Sequence, residues 1–136
     1  MEKFLNREQS KKLIELGISP DKASMVSWKN TCDWSKKMVY DDKEHFDLKP
    51  FRPAVMGFED FDCQDIFTIG DLIELLPITV NHNNINYFLC IYPIDDNSWC
   101  VSYDYTTSDT FHTCVKKELV NALYQMLTYI INLNNE

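Results

Sequence analysis

The chain has 136 residues, of which 45% are hydrophobic and 25% are charged, which suits one folded domain and excludes a disordered or collagen-like chain. The net charge is −8 at pH 7, and it is unevenly spread, with +3 on residues 1–40 and −11 on residues 41–136. Nucleic acids bind clusters of lysine and arginine, so this acidity predicts against a nucleic-acid partner and favours a basic protein partner.

The segment 1–40 is predicted to form one helix followed by short strands. Asn6 is placed to cap the helix, and Gln9 stands three residues later, where its side chain can reach back in a capping box. Met25–Trp28 and Lys37–Tyr40 are the two strand candidates.

The segment 41–66 is predicted to be an acidic irregular loop. It contains two prolines, one glycine and eight acidic residues, together with several large apolar side chains. A free linker rarely carries so many apolar groups, so we expect the loop to pack by its aromatic residues and to expose its acids. The exposed acids would form a docking surface for a basic partner, with four candidate binding residues: Glu59, Asp60, Asp62 and Asp65.

The second helix is predicted over Ile69–Leu76. Thr68 is its N-cap, Asp71 lies at the third helical position, and Pro77 ends it.

A β-meander is predicted to follow this helix, with strands at Ile78–Val80, Ile85–Tyr92 and Trp99–Tyr105 and a short last strand at Thr110–Thr113. A four-residue turn before Trp99 would place Tyr92 opposite Trp99, and a register one residue different would exchange the two faces of the sheet. The same four-residue turn would pair Cys90 with Val101 and Phe88 with Tyr103.

The last helix is predicted over about Val115–Leu133 and is apolar around most of its circumference. From Leu119 onward its polar residues are uncharged and form one narrow stripe. Amide and hydroxyl groups tolerate partial burial against another surface, so we treat this stripe as a second candidate for partner binding. The polar stripe consists of Asn121, Gln125, Thr128 and Asn132.

These elements together predict a single α+β domain over residues 1–136. Its antiparallel meander of three to five strands is flanked by helices, in the order α-β-β-β-α within residues 68–136, and the long C-terminal helix packs on the sheet. Residues 1–40 would add a helix and short strands, residues 41–66 the acidic loop, and residues 67–136 the helix–meander–helix core.

The cysteines and the N-terminus predict a reduced, cytoplasmic protein without a metal or other cofactor. The five cysteines are widely spaced with no C-x-x-C pair, which argues against a zinc site. The first residues lack the apolar core of a secretory signal, and the longest uncharged stretch, 119–135, contains too many polar groups for a membrane span.

No histidine lies in a recognisable catalytic motif, so we expect no catalytic residues. One alternative is a small enzyme whose site is assembled from scattered residues such as Tyr103, His112 and Cys114, because His112 and Cys114 would share one face of a strand. Another alternative is weak binding of single-stranded nucleic acid through an aromatic sheet face and the basic N-terminal segment.

Two stretches carry a resemblance: LIELGISPDKASM at 13–25, and FTIGDLIELLP at 67–77 followed by a strand pair and a long apolar helix. Together they resemble a group of small uncharacterised proteins from gut Bacteroidetes and their phages or mobile elements. The resemblance implies a bacterial setting, and it implies no activity and no site residues.

Our leading hypothesis is a non-enzymatic, protein-binding accessory protein of a bacterial or mobile-element system. It would act through the acidic loop, the polar stripe, or both. Its partner would be a basic protein or a second copy of the chain.

Overall fold

The computed structural model describes residues 1–30, 44–49 and 61–135. These residues confirm the α+β class, with three α-helices and two antiparallel sheets. Two compact units are formed, one by Asn6–Phe67 and one by Met1–Leu5 with Thr68–Glu136. We call them the N-terminal and the C-terminal unit. The helices and strands in chain order are α1 (Arg7–Glu15), β1 (Met25–Asn30), β2 (His45–Leu48), β3 (Phe61–Ile66), α2 (Ile69–Leu75), β4 (Thr79–His82), β5 (Ile85–Asp95), β6 (Ser98–Thr106), β7 (Asp109–Lys116) and α3 (Leu119–Asn134).

In the N-terminal unit, α1 begins with the predicted capping box. The Asn6 carboxamide accepts a hydrogen bond from the Gln9 backbone at 2.8 Å, and the Gln9 side chain accepts one from the Asn6 backbone at 3.2 Å. The helix packs against β3 and buries Leu13 and Ser10 completely. The Ser10 hydroxyl accepts a hydrogen bond from the backbone N–H of Phe67, so this buried polar group has a partner.

The sheet of this unit has the order β2-β1-β3, with β1 in the centre. The predicted strand Met25–Trp28 is therefore confirmed, and it extends to Asn30. The prediction of an irregular loop over 41–66 is wrong in both of its described parts, because 45–48 and 61–66 are strands that pair with opposite edges of β1. These short acidic segments lack the alternation of a half-buried strand, and their pairing depends on β1, which is distant in sequence. The predicted strand Lys37–Tyr40 lies outside the described residues.

The C-terminal unit includes the first five residues of the chain. Phe4 forms an antiparallel bridge with Thr68, and the Lys3 carbonyl accepts a hydrogen bond from the Ile69 N–H. The second helix begins as predicted, since Thr68 and Asp71 form a reciprocal capping box, and it ends at Leu75, one residue earlier than predicted.

The meander is confirmed as a four-stranded antiparallel sheet in the order β4-β5-β6-β7. Asn83 and Asn84 have φ of 53° and 66° and form the β4–β5 turn, as in a type I′ hairpin. The turn is therefore shorter than the four residues, 81–84, that separate the two predicted strands, and β4 continues to His82.

The register of β5 and β6 differs from the prediction by one residue. Tyr92 lies opposite Cys100 rather than Trp99, and Cys90 lies opposite Ser102. The turn between the two strands causes this difference in register. β5 continues through Pro93 to Asp95, a bulge lies between these two residues, and a short connection then leads to β6. Phe88 correspondingly lies opposite Asp104 rather than Tyr103.

The last helix begins at Leu119 rather than Val115, because β7 continues to Lys116. As predicted, α3 packs on the sheet, where it contacts β6 and β7. It buries Leu123 and Met126 completely, and each such side chain contributes about 1.5–3 kcal/mol to folding by leaving water.

Candidate protein-binding surface

The four-stranded sheet has two faces of different character. Val101 and Tyr103 of β6 and Cys114 of β7 point to the face that carries α3, and all three are buried. We call this the helix-covered face. The opposite face, which we call the open face, is formed by residues that alternate with these: Phe88, Cys90, Tyr92, Cys100, Ser102, Asp104, Thr110, Thr113 and Val115.

The open face exposes large apolar side chains. Phe88 is 51% exposed, Tyr92 is 44% exposed and Val115 is 47% exposed. Tyr92 and Val115 lie in one transverse row on either side of Cys100, which is itself buried. Single exposed apolar residues are ordinary on protein surfaces, whereas three on one face of a sheet make that face a candidate interaction surface.

A hydrogen-bonded polar cluster lies beside these apolar residues. The Ser102 hydroxyl donates to Asp104 Oδ1 at 2.5 Å, and the Thr110 hydroxyl donates to the same oxygen at 2.9 Å. The Ser102 and Thr113 hydroxyls are 3.1 Å apart and share a further hydrogen bond. The Asp104 carboxylate, which is half-buried, is therefore held in one orientation.

The Cys90 thiol and the Tyr92 phenol of the open face remain protonated at neutral pH. Burial, followed by the negative charge of Asp104, raises the pKa of the Cys90 thiol above its usual value of 9.0. A hydrogen bond with Cys100 is the main cause that raises the pKa of Tyr92 to about 12. Because a thiolate is the reactive form of cysteine, this environment favours packing and hydrogen bonding over nucleophilic chemistry.

The described open face carries one carboxylate and no lysine or arginine. Lys116 is the one lysine or arginine on the four strands of this sheet, and it pairs with Trp99 on the helix-covered side. Asp104 supplies negative charge near the middle of the open face. The face thus combines exposed apolar groups with an oriented carboxylate.

The acidic residues predicted as a docking surface do not form one continuous described site. Asp62 and Asp65 lie on β3, whereas Glu59 and Asp60 lie outside the described residues. The Arg7 guanidinium forms an ion pair with Asp62 at 2.8 Å and also donates to the Ser27 hydroxyl at 3.0 Å.

Lys49 forms an ion pair with Asp65 and donates a hydrogen bond to the Pro20 carbonyl. Asp62 and Asp65 thus both have cationic partners within the N-terminal unit. Part of their charge is balanced there, which reduces the field that they present to another protein.

The polar stripe lies on the outward side of α3. Gln125 and Asn132 are exposed, and Asn121 and Thr128 are half-buried. The Thr128 hydroxyl donates to the Gln125 carbonyl at 2.9 Å, within the helix itself. The stripe is accessible, and it carries no apolar anchor of the kind found at the centre of protein interfaces.

The residues considered for a scattered enzyme site lie together on the helix-covered face. Tyr103 pairs with His112, and Val101 pairs with Cys114, so the three candidate side chains are neighbours. They serve as packing, since the Tyr103 hydroxyl donates to the Pro77 carbonyl at 2.7 Å and the His112 ring stacks on Tyr129 at 3.6 Å.

Burial raises the pKa of the Cys114 thiol to about 11 and lowers the pKa of His112. A protonated, buried thiol beneath a helix is a poor nucleophile.

The described ranges contain neither a cluster of metal-ligating side chains nor a membrane-spanning helix. No group of three or more histidine, cysteine, aspartate or glutamate side chains there is arranged to hold a metal ion. No helix in the same part of the chain has the length and apolar character required to span a bilayer.

Comparisons with protein-family models, curated proteins and solved structures found no match to this chain.

The open face was not predicted from the sequence, although the sequence contains one indication of it. Ile85–Tyr92 is apolar on both sides, which requires cover on two faces, and α3 packs on one face of this sheet, at β6 and β7.

Proposed function

We propose that this chain is a non-enzymatic protein-binding accessory protein of a bacterial or mobile-element system, acting in the cytoplasm. The observation that carries the proposal is the open face, where Phe88, Tyr92 and Val115 are each close to half exposed. Water contact with such side chains is unfavourable by about 25 cal/mol for each Å² of apolar surface, so a partner that covers them gains free energy.

The polar groups of the sheet support binding rather than catalysis. Ser102 is buried and bonds to Asp104, and the thiols of Cys90 and Cys114 have raised pKa values. Each of these groups has a local role in hydrogen bonding or packing.

Single-stranded nucleic acid is a weaker candidate ligand for the open face. Phe88 and Tyr92 offer rings for base stacking, but the carboxylate of Asp104 lies opposite Phe88 and would repel a phosphate backbone.

The acidic segment around Glu59–Asp65 and the polar stripe on α3 remain proposed secondary contacts. The polar stripe is accessible along α3, Asp62 and Asp65 already form ion pairs, and Glu59 and Asp60 lie outside the described residues and are tested together.

Affinity capture with matched variants tests the proposal. The full chain, a Phe88→Ser/Tyr92→Ser variant, a Gln125→Ala/Asn132→Ala variant and a Glu59→Gln/Asp60→Asn variant would each be used as bait in a lysate of the source cells. We expect one protein to be retained by the wild-type chain and lost specifically with the open-face variant. Equal retention by all four baits, or retention of no protein by any of them, would contradict the proposal. Circular dichroism checks that each variant is folded.

A further inference from the structure

We infer that the open face binds a basic, amphipathic segment of a partner protein, in which a lysine or arginine lies between apolar side chains. The inference rests on the proposed protein-binding function and adds the chemistry of the partner. It is carried by the charge complementarity between such a segment and the open face.

The apolar part of the surface sets the spacing that the partner must match. Phe88 and Tyr92 are four residues apart on β5, which is about 13 Å along a strand. On a helix, apolar side chains seven or eight residues apart are separated by about 11–12 Å and lie on one side. Two apolar side chains of an amphipathic helix therefore have nearly the spacing of the two exposed rings of β5. The helix α3 packs on the other face of the same sheet.

The charged part of the surface selects a cation. Asp104 lies opposite Phe88 in the register, and among the described residues it forms no ion pair. The Ser102 and Thr110 hydroxyls fix its orientation by donating to Oδ1. A half-buried, oriented carboxylate binds a guanidinium or ammonium group more strongly than a mobile surface carboxylate does.

Charge also argues against a second copy of the chain as the occupant. Two copies meeting through their open faces would bring two Asp104 carboxylates into one interface, and each copy carries a net charge of −8. Like charges placed together in an interface are unfavourable, whereas a basic segment relieves both the local and the overall negative charge.

Titration with defined peptides tests the inference on the full chain. Three fluorescent amphipathic peptides of equal length would share one leucine face and carry lysine, glutamine or glutamate on the polar face. We expect the lysine peptide to bind more tightly than the glutamine peptide and the glutamate peptide to bind least, as measured by fluorescence anisotropy.

The control variant separates a specific contact from general attraction. Asp104→Asn keeps an acceptor for Ser102 and should weaken binding of the lysine peptide about tenfold, the effect of losing a hydrogen-bonded charge pair. Asp96→Asn removes the same charge from an exposed hairpin turn and should change the affinity less than twofold.

Equal effects of Asp104→Asn and Asp96→Asn would overturn the inference, as would equal binding of the three peptides or binding of none of them. Sedimentation equilibrium would overturn it by showing a dimer that Phe88→Ser dissociates, since the occupant would then be a second copy. If the lysine peptide fails while affinity capture still depends on Phe88 and Tyr92, the basic chemistry is wrong and the protein-binding function stands.

Discussion

The buried thiol of Cys114 makes the fold lose stability at alkaline pH. Burial beneath α3 raises the pKa of Cys114 from 9.0 to about 11. Between these values the unfolded chain loses the thiol proton while the folded chain keeps it. Stability contributed by the protonated thiol is therefore fully present below pH 9 and is lost as the pH rises toward 11.

The expected loss from this one thiol is at most roughly 2–3 kcal/mol. Urea denaturation at a series of alkaline pH values measures it, and Cys114→Ala should flatten the decline. A decline of the same steepness in Cys114→Ala would assign the alkaline sensitivity to other groups.

His112 produces the opposite dependence in the acidic range. Its ring stacks on Tyr129 of α3, and burial lowers its pKa below the usual 6.5. The unfolded chain takes up a proton near pH 6.5 and the folded chain resists it, so stability falls as the pH falls below 6.5. We expect His112→Phe, which keeps an aromatic ring on Tyr129, to reduce the loss of free energy of unfolding between neutral and mildly acidic pH. An unchanged acid dependence in this variant would show that His112 is not its source.

At the scale of elements, the helix caps were predictable because each depends on residues three positions apart. Asn6 with Gln9 and Thr68 with Asp71 form capping boxes as expected, since a capping box requires no distant part of the chain. The β4–β5 turn was also recognisable from its asparagines, which adopt positive φ more readily than most residues.

The cap of α2 supplies a test at this scale. Thr68 accepts a hydrogen bond from the Asp71 backbone at 3.2 Å, and its own N–H donates to the Asp71 carboxylate at 2.9 Å. Thr68→Ala removes the side-chain acceptor and should lower the free energy of unfolding by about 1 kcal/mol. Thr107→Ala, in the exposed β6–β7 turn, is the matched control and should change stability by less than about 0.5 kcal/mol. Equal losses in the two variants would show that the cap does not stabilise α2.

At the scale of the whole molecule, pairings between distant segments could not be deduced from the sequence. The strand β2 exists because 45–48 pair with 25–28, and the apolar pattern of neither segment specifies that choice. The observed β5–β6 register differs from the predicted one by one residue, because a short connection with a bulge replaces the predicted four-residue turn.

This difference in register determines which residues form the candidate site. With the predicted pairing, Phe88 and Tyr92 would lie beside Tyr103 and Trp99 in one aromatic face. With the observed pairing, they lie beside Asp104 and Cys100, and Trp99 and Tyr103 alternate onto the helix-covered face. The polar stripe and the acidic segment could be named from the sequence because each is local, whereas the open face requires the register.

The proposed function requires that the open face contacts another protein. Site-specific photocrosslinking in cells that encode the chain detects such a contact, with a photoreactive aromatic amino acid placed at Phe88, Gln125 or Asp60 in turn. We expect a covalent adduct with a second protein from position 88, identified by mass spectrometry, and much weaker adducts from the other two positions. Adducts formed only from Gln125 or Asp60, or no intermolecular adduct from Phe88, would contradict the proposed function.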